Sequence, residues 1–247
     1  DGVSPVLGPS SGGTPVFFSI TGFHGHGVAC DFVGGSFSVN LSHHVSAVFE
    51  DPRYMCLAPP LMYVGLVQVV VSVNNVSIGS FSWESYGVVT VSHLGTIRGS
   101  EVGGQHLLIS GTGFRSSSML TCRFSDISSI VDALYTHGTF ISSSSVSCPI
   151  PPHAPGKVVV SIALNNIDFV GNLATSTSNI LVYEYTVQST TSNLHPSTIP
   201  STGNKVVTIF GTAFATDMLN TIYCEFEDVI KIQANFIDST TLQCQAP

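Results

Sequence analysis

Short apolar runs with a period of two recur along the chain. Val16, Phe18 and Ile20 alternate with residues facing the other way, as do Leu107 with Ile109 and Val207 with Ile209. Such alternation, rich in Val, Ile and Phe, places one face on a core and the other toward water, as in a half-buried strand. Clusters of Gly, Pro, Asn and Ser interrupt these runs at roughly ten-residue intervals, the spacing of a β-sandwich. No stretch of helical length carries a clean 3.6 period. Asp126 to Tyr135 comes nearest, and its Ile-Ser-Ser-Ile-Val composition suits a strand equally well. The longest apolar stretches, such as Leu66 to Val71, are strand-sized. None reaches the roughly 18 residues that would span a bilayer, so no direct membrane insertion is expected of this segment. The pattern predicts an all-β protein.

Superimposed on this alternation is a longer repeat. Cys30-Asp31-Phe32 returns as Cys122-Arg123-Phe124 and as Cys224-Glu225-Phe226. Cys56-Leu57-Ala58-Pro59-Pro60 returns as Cys148-Pro149-Ile150-Pro151-Pro152, then as Cys244-Gln245-Ala246-Pro247. The two cysteines are 26 positions apart in the first two copies and 20 apart in the third. Gly12-Gly13 matches Gly103-Gly104, with Gly203 at the equivalent point of the third copy. Gly65 leads into Val67, Val69, Val71 and Val73, then Asn74-Asn75. Gly156 likewise leads into Val158, Val160, Ile162 and Leu164, then Asn165-Asn166. Three units are present, the third without the strands that follow these landmarks in the others.

Composition narrows the function classes. The 247 residues have room for two or three domains, and 43% of them are hydrophobic, which argues against disorder. Charged residues make up 9%, against about 25% in an ordinary globular protein. Ser, Thr, Gly and Asn take their place. The net charge is −8 with only 7 Lys plus Arg. A nucleic-acid binder needs a basic stripe to neutralise phosphates, so no nucleic-acid partner is expected. An anionic membrane surface is disfavoured for the same reason.

Several landmarks together carry a family resemblance. They are Ser4-Pro5 followed by Gly8-Pro9 and Gly12-Gly13-Thr14, the Gly-x-Gly-Phe turn at Gly111 to Phe114, and the Cys-x-Phe strand. The Cys-x-Ala-Pro-Pro element, the Asn-Asn strand and the final aromatics Tyr86 and Tyr185 complete the set. In these the chain resembles the IPT/TIG family of immunoglobulin-like domains. The resemblance implies tandem immunoglobulin-like β-sandwiches of the E-set type. Domain 1 would occupy residues 1–87, domain 2 residues 88–186, and domain 3 residues 187–247, incomplete at its C-terminal end. His93-Leu94-Gly95 and His195-Pro196 stand where the second and third units would carry Ser-Pro. Members of the family occur in plexins, scatter-factor-type receptors and long surface proteins. DNA-binding relatives use basic loops, which this acidic chain lacks.

Six cysteines can pair in 15 ways, and the repeat selects Cys30–Cys56, Cys122–Cys148 and Cys224–Cys244. Such bonds persist only in an oxidising compartment, implying an extracellular or cell-surface location. The alternative is six reduced, buried thiols, since Cys is a common core residue. Zinc is poorly served because no Cys-x-x-Cys spacing occurs, and neither a metal nor a cofactor is expected. Asn40-Leu41-Ser42 and Asn75-Val76-Ser77 are N-glycosylation sequons. Ser/Thr runs at 142–145, 175–178, 189–192 and 197–202 suit either O-linked sugars or plain polar loops. Four of the nine histidines, His24, His26, His43 and His44, lie in the first unit without an obvious carboxylate partner and read as loop residues. Trp83 falls in a closing strand and reads as core rather than a sugar platform. No nucleophile elbow, His-Glu-x-x-His, carboxylate pair or phosphate loop appears, so no catalytic residue is assigned and no enzyme is expected.

The junctions are short: Tyr86 ends one unit and the next begins by Val89 or Val91. Short linkers leave little freedom between neighbours, which predicts a semi-rigid rod. The missing strands of the third unit predict that more units follow Pro247, or that strands come from a neighbouring chain. These features lead to an extracellular structural or adhesive protein, a segment of a longer rod or self-assembling glycosylated filament. Its partners would be copies of itself or other extracellular proteins, with covalent glycans. The alternative is the stalk of a plexin- or scatter-factor-receptor-like ectodomain that binds a protein ligand. An accessory module of a carbohydrate-active enzyme fits less well, with one Trp available.

Overall fold

The computed structural model describes residues 3–34, 41–127, 132–171, 179–215, 222–227 and 229–247. Among them, all regular structure is β. Eight strands lie in residues 7–86: β1 (Leu7–Pro9), β2 (Pro15–Phe18), β3 (Val28–Gly34), β4 (Leu41–Ser46), β5 (Val48–Glu50), β6 (Arg53–Leu57), β7 (Gly65–Val73) and β8 (Val76–Tyr86). They form one sheet in the order β1-β8-β7-β3-β4 and a second in the order β2-β6-β5. Pairing is antiparallel except between β1 and β8, where Leu7 lies opposite Glu84 in a parallel register.

The period of two explains which side chains meet. On β7, Val67, Val69 and Val71 are buried, whereas Leu66 and Gln68 are exposed. Cys30 and Phe32 of β3, Val16 and Phe18 of β2, and Tyr54 and Cys56 of β6 complete the interior with Trp83. Trp83 is fully buried and meets the Phe32 ring edge-on, with centroids 5.9 Å apart. A two-residue turn closes the β7–β8 hairpin, with Asn74 and Asn75 both at positive φ (48° and 67°). That is the turn whose twist matches paired strands, and Asn tolerates its left-handed backbone.

The second set of strands comprises β9 (Thr90–Leu94), β10 (Arg98–Ser100), β11 (His106–Thr112), β12 (Thr121–Asp126), β13 (Leu134–His137), β14 (Thr139–Ser142), β15 (Ser145–Pro149), β16 (Gly156–Ala163) and β17 (Leu181–Thr186). Its sheets run β10-β17-β16-β12-β13 and β14-β15-β11-β9. The Asp126 to Tyr135 stretch, nearest to a helical period, contributes its ends to β12 and β13. Residues 128–131 between them lie outside the described residues.

The third set is β18 (Thr190–His195), β19 (Val206–Thr212), β20 (Tyr223–Phe226), β21 (Ile230–Gln233), β22 (Asn235–Asp238) and β23 (Thr241–Gln245). One sheet is ordered β18-β19-β23-β22, and β20 pairs with β21.

A reciprocal backbone clamp recurs in all three sets and gives the sequence landmarks a physical meaning. The Gly13 amide donates to the Ala58 carbonyl (2.8 Å), and the Ala58 amide to the Thr14 carbonyl (2.8 Å). Gly104 and Gln105 bind Ile150 in the same way at 2.9 and 2.8 Å, and Asn204 and Lys205 bind Ala246 at 2.9 and 2.8 Å. Gly12, at φ +76°, approaches this clamp so closely that a Cβ would lie 2.5 Å from the Pro60 nitrogen. The glycine turn and the Cys-x-Ala-Pro element are therefore two halves of one contact.

The chain divides into two compact units. One contains Asp1–Gly95, Gly104–Pro151 and Lys157–Tyr183. The other contains Thr96–Gly103, Pro152–Gly156 and Glu184–Pro247.

Candidate functional site

The cysteines form three bonds: Cys30–Cys56, Cys122–Cys148 and Cys224–Cys244, with Cα atoms 6.4, 6.1 and 6.3 Å apart. Each joins one sheet to its facing sheet, β3 to β6, β12 to β15 and β20 to β23. Both sulfur-bearing residues of the first two bonds are fully buried. No free cysteine is present among the described residues. The first two bridges are cross-links through the cores, out of reach of thiol chemistry, whereas Cys224 of the third is half-buried.

The remaining sequence candidates stay apart. Asn75 is exposed at the tip of the β7–β8 turn, with Ser77 exposed beside it. Asn40 lies outside the described residues, as does the 175–178 Ser/Thr run. Ser142 to Ser145 form the β14–β15 turn, where Ser142 Oγ is 2.8 Å from Ser145 Oγ. His44 does have a carboxylate partner: its Nδ1 is 2.8 Å from Asp31 Oδ1 across the β3–β4 pair. Sequence inspection misses it because the two residues are 13 apart and meet only through strand register. His24 packs against the Phe49 ring. Among the described residues, no group of three or more His, Cys, Asp or Glu is placed to hold a metal ion.

The most connected polar arrangement lies within the first unit, where residues 165–170 reach the β1–β2 region. Asn165 is fully buried, and its Nδ2 donates to the Leu7 carbonyl (3.0 Å) and to Asp168 Oδ2 (2.6 Å). Its Oδ1 accepts the amides of Ile167 (3.1 Å) and Asp168 (2.9 Å). Thr14, also fully buried, donates its hydroxyl to the same Asp168 Oδ2 at 2.6 Å. Nearby, Tyr86 is buried; burial pushes its phenol well above the ordinary tyrosine range, and the Asp168 carboxylate adds to the shift. A cavity of about 620 Å³ opens here, walled by Ser10, Tyr86, Val88, Asp168 and Phe169 among others. Outside it, Arg115 Nη1 lies 2.7 Å from Glu84 Oε1.

Thr14, Tyr86 and Asn165 are landmarks of the repeat, whereas Asp168 is not. A signal existed: Asp168 is the one charged residue between Lys157 and Glu184. The segment from Asn165 to Tyr185 is also eight residues longer than its counterpart from Asn74 to Tyr86.

In the second unit, a cavity of about 570 Å³ is lined by Val207, Ile209, Phe214, Phe226, Leu242 and the Cys224–Cys244 bridge. Here, among the described residues, β20 pairs with β21 alone, whereas β3 and β12 each lie between two partners.

The family profile described as IPT/TIG domain matches residues 90–185 and 189–247. No curated protein matches the chain. Among solved structures, the chain is similar to the full extracellular region of plexin A4 at 18% identity and a TM-score of 0.46. That match covers 100% of this chain and 20% of the other. It is also similar to invasin, a bacterial integrin-binding protein, at 11% identity and a TM-score of 0.24, covering 99% of this chain and 53% of that one. A third similarity is to the FN1–FN3 domains of chicken CNTN1, at 8% identity and a TM-score of 0.31, covering 98% and 88%. The chain thus spans a fifth of the plexin A4 chain and about half of the invasin chain. With the profile matched over more than half of its residues, the chain belongs to the IPT/TIG family of immunoglobulin-like domains.

Proposed function

We propose that this chain is a segment of an extracellular structural or adhesive protein that works by self-association rather than by catalysis. We read residues 1–87, 88–186 and 187–247 as its domains, with Asn75 as a glycosylation site. The observation that carries the reading is the set of three inter-sheet disulfides, one for each repeat of the sequence. Bonds of this kind persist in oxidising surroundings.

Exposed strand edges support association between copies. The edge strand β18, Thr190–His195, is exposed at every residue and contains no Lys, Arg, Asp or Glu. Edge strands of monomeric proteins are ordinarily blunted by charge, because their free amides and carbonyls template pairing; β18 carries no such charge, although its register with β19 shifts between Thr191 and Asn193. The edge strand β5 presents Val48 and Phe49 to solvent.

The test is light scattering and negative-stain microscopy of the secreted, disulfide-bonded chain over a concentration series. Filaments or concentration-dependent oligomers are expected. A chain that stays monomeric throughout, and forms no filaments, abandons self-assembly and leaves the receptor-stalk alternative.

A further inference from the structure

We infer that the buried Asn165 and Thr14 and the half-buried Asp168 form a polar latch that fixes the orientation of residues 104–151 and 157–170 against the strands of residues 7–86. This rests on the reading of these segments as successive domains and names what makes their junction stiff.

The argument begins with the hydrogen-bonding capacity of Asn165. A carboxamide has two N–H donors and two acceptor sites. All four are used: Leu7 carbonyl and Asp168 Oδ2 on the nitrogen, Ile167 and Asp168 amides on the oxygen. The two amide bonds curl residues 165–168 into a turn that carries its own carboxylate back over the side chain. The Leu7 bond crosses 158 positions of sequence, and the Thr14 bond crosses 154. Both join the same two segments, so neither can be kept while the segments rotate past each other.

Burial makes the latch selective for one orientation. Asn165 and Thr14 are fully buried, so reorientation would strand an amide and a hydroxyl away from water. A flexible tether would have exposed groups that re-pair with solvent at little cost. The half-buried pair Arg115–Glu84 joins the same segments, but it is a single ion pair between two long side chains, each still partly open to water.

The repeat itself shows that this is a specialisation. Asn74 is the counterpart of Asn165, and it lies exposed in a tight hairpin turn. Of the corresponding pair Asn165-Asn166, only Asn166 has positive φ (63°). The chain then runs on to Val170, which returns to pair with Ile162. The extra length is what allows Asp168 to reach Thr14.

Residual dipolar couplings of backbone amides in the full, disulfide-bonded chain provide the test. In the wild-type protein, amides of residues 7–86 and those of residues 104–151 and 157–170 are expected to fit one common alignment tensor. Thr14→Val keeps the side-chain volume and deletes the hydroxyl, and Asp168→Ala deletes the acceptor. Both should split the fit into two tensors of unequal magnitude, while couplings within each segment still fit the wild-type structure. Arg115→Ala should leave the single tensor intact. If Asp168→Ala does not fold, Thr14→Val decides alone. A single tensor retained in Thr14→Val overturns the latch, as does a split already present in the wild type. Neither result touches the self-assembly reading, which light scattering tests separately.

Discussion

Gly8 passes so close to Trp83 that a Cβ at residue 8 would lie 2.4 Å from the indole Cζ2 and 2.5 Å from the Thr14 hydroxyl oxygen. The glycine of the opening turn is thus required by packing, since the parallel strand β1 lies directly on the core tryptophan. Gly8→Ala is expected to destabilise the first sandwich by about 1–3 kcal/mol, the usual cost of overpacking. Trp83 is the only tryptophan, so its emission in a denaturant titration reports on this sandwich alone. An unchanged midpoint would show that the indole can move aside freely.

Removal of one cross-link should act through the unfolded chain. Cys122 and Cys148 close a separation of 26 residues. Replacing both with Ala is expected to cost about 3 kcal/mol on the chain-entropy model. Hydrogen exchange of the β12 and β15 amides measures it. Protection equal to wild type would mean that the bridge contributes no constraint.

Asn75 provides a test of the secreted reading. Both it and Ser77 are exposed at a hairpin tip, open to a glycosyltransferase. Secretion from eukaryotic cells should yield a chain whose mass at the Asn75 peptide falls on glycosidase treatment. Ser77→Ala should abolish that shift. An unmodified Asn75 peptide in secreted protein counts against glycosylation here.

One carboxylate should titrate visibly low. The Thr240 hydroxyl (2.7 Å) and then its backbone amide (2.8 Å) donate to Asp238 Oδ1 in the β22–β23 turn and hold its carboxyl below the ordinary aspartate range. A depressed native pKa means that the turn's contribution is present above the unfolded value, about 3.9. It is lost as pH falls through the native value. Carboxyl chemical shifts across pH 2–5 should place the Asp238 midpoint below that of an ordinary aspartate, and Thr240→Val should raise it. A wild-type midpoint at or above the ordinary value contradicts the assignment.

Much of this architecture is legible in the chain itself. Val67, Val69 and Val71 face inward because a strand's side chains alternate, and that period is written in the residues. The Gly13–Ala58 clamp and its two counterparts explain why glycine turns and Cys-x-Ala-Pro elements recur together. Each needs the other for its backbone bonds. Pairing of Cys30 with Cys56 follows from the same repeat, because equivalent residues in equivalent folds occupy equivalent places.

Other features emerge only in three dimensions. Asn74 and Asn165 hold the same position in the repeat, yet one caps an exposed turn while the other is buried against Leu7. Asp31 and His44 meet through strand register, and Asp168 meets Thr14 across 154 positions. Local alternation and turn chemistry are decided within a few residues by steric and solvation preferences, so the sequence alone determined the strands, their faces and their repeat. The partner of a buried polar group depends on which distant backbone the fold delivers to it, and that was decided by the tertiary structure.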